Sequence, residues 1–170
     1  LDDFAFATKE RVIEILKVPL ESSDMFWLIL PLILTMLFIQ FYFSRYQEEE
    51  LGWNTAFGNS LVLIFVSVSL IRFILESGLR NDQTTLTITV LLVGSGILLT
   101  IIDYFHALPK ELAYGISSSI PINYLSYVAI SLIFSRNTEN PVPIDLTTLA
   151  AFLVILILFL FLIVIIHIIV

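Results

Sequence analysis

Residues 146–170 form an apolar run that contains no Asp, Glu, Lys or Arg. In hydrocarbon every backbone N–H and C=O must find its partner within the segment, so a run of this kind must be helical. About 20 residues of helix cross the ~30 Å core of a bilayer. Four more runs have the same character, at about 25–44, 55–75, 85–105 and 110–134. Polar end signals frame them. Ser22, Ser23 and Asp24 are candidate N-caps for the first span, and Asn54 opens the second. Ser77-Gly78 offers a C-terminal stop for the second, while Pro109 and Asp145 precede the fourth and fifth. Pro31 and Pro121 fall inside spans one and four and predict a kink in each.

Composition agrees with this reading. Hydrophobic residues make up 58% and charged residues 14% of the 170, against about 45–50% and 25% in soluble domains. The mean hydropathy of +1.00 leaves too little polar side chain to cover a water-soluble surface. With no cysteine, disulfides, thiolate metal sites and cysteine nucleophiles are excluded. A net charge of -7 argues against a nucleic-acid partner.

The expected fold is therefore an all-α integral membrane protein: a five-span up-and-down transmembrane helix bundle over residues 23–170, with short connections between antiparallel neighbours. Residues 1–22 are too charged to cross. Ala5, Val12, Ile15 and Leu16 share one helical face with Glu10, Glu14 and Lys17 opposite, the pattern of an amphipathic interfacial helix. No internal repeat is visible, which weakens any analogy to inverted-repeat transporters. The chain opens on Leu1 and stops inside an apolar run, so residues are expected to be missing at one or both ends. Lys9, Arg11, Lys17, Arg72, Arg80 and Arg136 fall on the N-terminal side and Arg45 and Lys110 on the other, six against two. That asymmetry predicts a cytoplasmic N-terminus and an outer C-terminus in a plasma or inner membrane.

Few residues suggest chemistry. Arg45, Glu48, Glu49 and Glu50 occupy the first loop. Asp103, His106, Lys110 and Glu111 follow span three on the same side. Asp103 and His106 are three apart and would share a helical face. With Glu111 they are weak candidates for a divalent cation, but the spacing matches no metal motif and a solvated acidic rim is the better expectation. Ser95 in span three and His167 in span five cannot form a dyad, because their depths differ by roughly 15 Å at 1.5 Å per residue. Arg72 is expected to snorkel to the headgroups. Tyr42, Tyr46, Trp53 and Tyr104 suit an aromatic belt. No Gly-rich phosphate loop or zinc-protease motif is present, and no cofactor is expected.

Hydroxyls and small residues instead recur at helical spacing. Span four carries Tyr114, Ser117, Ser118, Pro121, Tyr124, Tyr127 and Ser131; span three carries Thr89, Gly96, Thr100 and Asp103; span two carries Ser60 and Ser67. These stripes are expected to form a polar seam between spans two, three and four, with Gly94 and Gly96 allowing close approach. Span five, apolar after Thr148, should face lipid. The expectation for function is a non-catalytic membrane subunit or scaffold that packs with partner chains or with itself. An oligomeric channel or small transporter lined by the seam is the alternative, and an interfacial enzyme the third.

Overall fold

The computed structural model describes residues 2–46 and 52–169. Seven α-helices account for most of them: α1 (Asp2–Glu21), α2 (Ser23–Arg45), α3 (Trp53–Ser77), α4 (Gln83–Phe105), α5 (Lys110–Ile116), α6 (Ser119–Ser135) and α7 (Leu146–Ile169), with a 3₁₀ turn at Leu79–Asn81. Five stretches are long and apolar enough to cross a membrane: α2, α3, α4, α5 with α6 taken together, and α7.

Local chemistry sets the ends. Ser22 accepts from the Met25 N–H and caps α2, the first of the three candidate caps. Gly78 closes α3 in the left-handed conformation, φ 80°, which costs glycine nothing. Asn54 is not the cap of α3: the helix begins one residue earlier and Gly52 holds the cap position. Asp82 caps α4 through the Thr85 N–H at 2.9 Å and its hydroxyl at 2.6 Å. Asp145 caps α7 through the Thr148 N–H at 2.7 Å. That bond, more than nearby Arg11, holds the Asp145 carboxyl below its ordinary range.

α3 and α4 run in opposite directions, as do α4 and α6. The start of α3 meets the end of α4 through Ser60 and Asp103, and the start of α4 meets the end of α6 through Asp82 and Arg136. The helices do not simply neighbour each other in sequence order, as the short connections predicted. α6 packs against α2, α3 and α4, and α3 with α4 is the most extensive pair. Leu63, Leu70, Ile130 and Ile133 form the buried centre, with Phe73 stacked on Phe134 at 3.9 Å.

Gly96 is why α3 and α4 approach closely. A Cβ built there would lie 3.1 Å from Leu63 Cβ and 3.3 Å from the Ile64 backbone nitrogen. Gly94 has nothing within 4 Å, so of the two glycines expected at this contact only Gly96 serves it. α7 exposes most of its apolar side chains and buries Ala151 and Phe152.

α1 packs on α2, α6 and α7. Its buried positions are Thr8, Ile15 and Val18, whereas Ala5 and Leu16, assigned to the apolar face from the sequence, are exposed. Pro31 does not interrupt α2, and it sits on an exposed face. The fourth span is different. It is not one helix kinked at Pro121 but two, separated at Ser117 and Ser118. A proline ring clashes with the carbonyl four residues back and offers it no N–H. For Pro121 that carbonyl is Ser117's, and the helix parts there. Pro121 then falls in the first turn of α6, where its missing N–H costs nothing.

Candidate functional site

The break in the fourth span organises the polar residues at the end of the bundle where α2 finishes and α3 begins. Ser117 keeps one helical bond as donor, N–H to the Ala113 carbonyl at 2.9 Å. Its own carbonyl, deprived of a partner by Pro121, accepts from Asn59 Nδ2 at 2.9 Å. One turn of α3 therefore replaces the lost backbone bond with a side-chain amide, as a buried carbonyl requires.

Beside Asn59, Ser60 joins three elements. Its Oγ donates to Asp103 Oδ2 of α4 at 2.5 Å, with the Ala56 carbonyl at 3.1 Å and Ser117 Oγ at 3.4 Å. Asp103 is 1% exposed, and its Oδ1 has no hydrogen-bond partner among the described residues. Ser60, Asp103 and Ser117 are thus members of the expected seam that do converge.

The rest disperse. Ser67 Oγ donates to the Leu63 carbonyl, Thr89 to Thr85, and Thr100 to Gly96, each within its own helix at 2.6–2.8 Å. Ser118 Oγ donates to the Gly115 carbonyl at 3.1 Å. Tyr114 packs edge-on against Trp53 beneath Lys110 Nζ. Tyr124 turns the other way and donates its hydroxyl to the Phe152 carbonyl of α7, and Tyr127 rests against the Phe152 ring. Ser131 is buried on α6. The seven-residue stripe of the fourth span is therefore not one face. Its 3-and-4 spacing presumed a continuous helix, and the break rotates Tyr124 and Tyr127 away from α3 and toward α7.

The weak cation candidates separate as well. α4 ends at Phe105, and His106 adopts the left-handed conformation at φ 51°. It does not share a helical face with Asp103. Its ring stacks on Trp53 at 4.1 Å while Asp103 points inward to Ser60, and Glu111 is exposed in the first turn of α5. No group of three or more His, Asp or Glu side chains suited to a metal occurs among the described residues. Glu48, Glu49 and Glu50 lie outside the described residues, as does the side chain of His167. Ser95 is half-buried in α4, and exposed Arg72 pairs with Glu76 at 2.8 Å.

Several functional candidates escaped the sequence reading. A cavity of about 510 Å³ opens between α2, α3 and the start of α6, lined by Phe38, Ile39, Gln40, Tyr42, Phe43, Thr55, Asn59, Ser118, Ser119 and Ile120. Gln40 and Asn59 were legible as carboxamides a turn or two inside apolar spans, but nothing local said they would meet. Asn123 is 3% exposed; its Nδ2 donates to the Ser119 carbonyl at 2.7 Å.

At the opposite end, Arg136 Nε and Nη2 each donate to Asp82 at 3.2 Å. The Thr85 hydroxyl first, then Arg136, draws the Asp82 carboxyl down to about 2. This fork joins the start of α4 to the end of α6 and serves as a structural clasp.

A carboxyl and a hydroxyl in contact, with the one described imidazole ring stacked elsewhere, do not assemble a nucleophile, a base and an orienting group. They do assemble a three-helix junction. No family model matches the chain, and neither a curated protein nor a solved structure matches it.

Proposed function

We propose that this chain is a non-catalytic multi-pass membrane subunit that works by packing in the bilayer with partner chains or further copies of itself. The observation that supports this most is the dryness of the seam. Ser67, Thr89 and Thr100 donate their hydroxyls to carbonyls of their own helices rather than into a path between helices. The short connections point the same way. α1, with Ile15 and Val18 turned inward and Glu10 and Lys17 exposed, acts as an interfacial anchor.

Extraction in a mild detergent tests the reading: the chain should co-migrate with other membrane polypeptides or as a defined oligomer, and a stable solitary monomer at native abundance would refute it. Topology is tested separately. Single cysteines at Gln47 and Lys110 should react with an impermeant reagent from outside, and those at Asn81 and Asn137 should not.

A second reading, an oligomeric channel or small transporter, draws on the interrupted fourth span, since broken helices often flank binding sites in transporters. Solute flux in liposomes that Ser118→Trp or Thr100→Trp blocks would favour it over the scaffold.

A further inference from the structure

We infer that the cavity between α2, α3 and the start of α6 is a binding site for a lipid with an uncharged, hydroxyl-bearing headgroup, a property independent of the scaffold role. Three observations carry it. First, α6 begins at the break with Ser118 as a cap whose side chain makes no capping bond, which leaves the Ser119 and Ile120 N–H groups uncapped by it, beside a cavity that both residues line. Second, Gln40 lines the same cavity, is only 9% exposed, and makes no hydrogen bond to the described residues. Its amide atoms are not among the sealed, unpartnered ones of the described residues, so they open to the cavity and can bond what enters it. Third, Asn59 commits its Nδ2 to the Ser117 carbonyl, which leaves its Oδ1 to accept.

These groups together ask for a ligand that accepts from the α6 N–H groups and donates to Asn59 and Gln40. A hydroxyl does both. Among the described residues the polar lining carries no charge, so a charged headgroup would enter without a counter-ion from them. Depth and surroundings identify the source as a lipid. Gln40 lies five residues, roughly 8 Å, inside the end of α2, and Asn59 about 9 Å inside the start of α3. Phe38, 65% exposed, and Phe43 flank the mouth and offer apolar surface to an acyl chain.

The test uses the full chain in micelles of lauryldimethylamine oxide, whose headgroup carries no hydroxyl. Thermal unfolding is followed with a dioleoylglycerol bearing one glucose, with dioleoylphosphatidylglycerol and with methyl glucoside. The glycolipid should raise the unfolding temperature by a few degrees, as a ligand of the folded state does. Gln40→Leu should weaken its apparent affinity about tenfold, the value of one hydrogen-bonding group. Thr55→Trp, placed at an exposed lining position, should block binding without disturbing the core. Equal stabilisation by phosphatidylglycerol would overturn the uncharged-headgroup assignment. Equal stabilisation by methyl glucoside would overturn the lipid. Glycolipid affinity unchanged in both variants would overturn the site.

Discussion

Replacing Asn59 by Leu should destabilise the bundle through an atom that belongs to another span. The Ser117 carbonyl is the one Pro121 cannot serve, and Asn59 Nδ2 holds it at 2.9 Å. Ser117 is 0% exposed, so water cannot replace the amide without opening the junction. Hydrogen bonds between membrane helices average about 0.6 kcal/mol, while stranding a buried acceptor costs about 1–3 kcal/mol. The second figure governs here, because leucine fills the space of asparagine and leaves the carbonyl with nothing. The expected loss is about 1.5 kcal/mol, within that range. The physical claim lies in the coupling. In a Pro121→Ala background residue 121 regains an N–H, the fourth span can close its own bond to Ser117, and Asn59→Leu should cost less than about 0.5 kcal/mol. Reversible unfolding of the four proteins in mixed micelles, titrated with a denaturing detergent, measures the cycle. Equal costs in both backgrounds would show that Asn59 does not stand in for the bond Pro121 removes.

Three further outcomes are expected. Gly96→Leu should cost about 1–3 kcal/mol by overpacking, because its Cβ would press on Leu63 and the Ile64 backbone, whereas Gly94→Ala should be neutral or mildly stabilising; equal effects in the same unfolding assay would contradict the packing at Gly96. Asp82 has a carboxyl lowered to about 2 in the folded state, against an ordinary ~3.9, so its contribution is complete above about pH 4 and fades as pH falls through about 2. Asp82→Asn should therefore cost about 1 kcal/mol at neutral pH, allowing for screening of a pair about a quarter exposed, with the gap to wild type closing on acidification. Zn²⁺, Mn²⁺ or Ca²⁺ should leave the unfolding temperature nearly unchanged, and a shift of several degrees that Asp103→Ala or His106→Ala abolishes would restore the metal site.

The spans were legible because their causes are local. Run length gives the helix, and Ser22, Gly78 and Asp145 act on residues within one turn of themselves. What the sequence concealed depends on partners far along the chain. Proline at 121 announced a distortion, but whether span four would bend or part depended on what could receive the Ser117 carbonyl. That receiver, Asn59, is 58 residues away. His106 was assigned to a helical face it does not occupy: α4 stops at Phe105, and the imidazole is held by the Trp53 ring of α3.

The same break divides the polar residues of span four that their spacing places in one stripe. A helix of 26 residues with polar groups every third or fourth position presents one stripe to one neighbour. Parting it at Ser117 and Ser118 lets its two segments serve different ones. Ser117 stays with Ser60 and Asp103, closing the junction with α3 and α4. Beyond the break Tyr124 and Tyr127 turn to α7, where the Tyr124 hydroxyl finds the Phe152 carbonyl. α7 has no side chain after Thr148, among those described, with which to answer a polar stripe, and a backbone carbonyl near its start is what it can offer. The interruption also sets Ser118, Ser119 and Ile120 at the wall of the cavity that Gln40 and Asn59 line. One proline thus accounts for the parting of the fourth span and, through it, for the division of its hydroxyls between two interfaces.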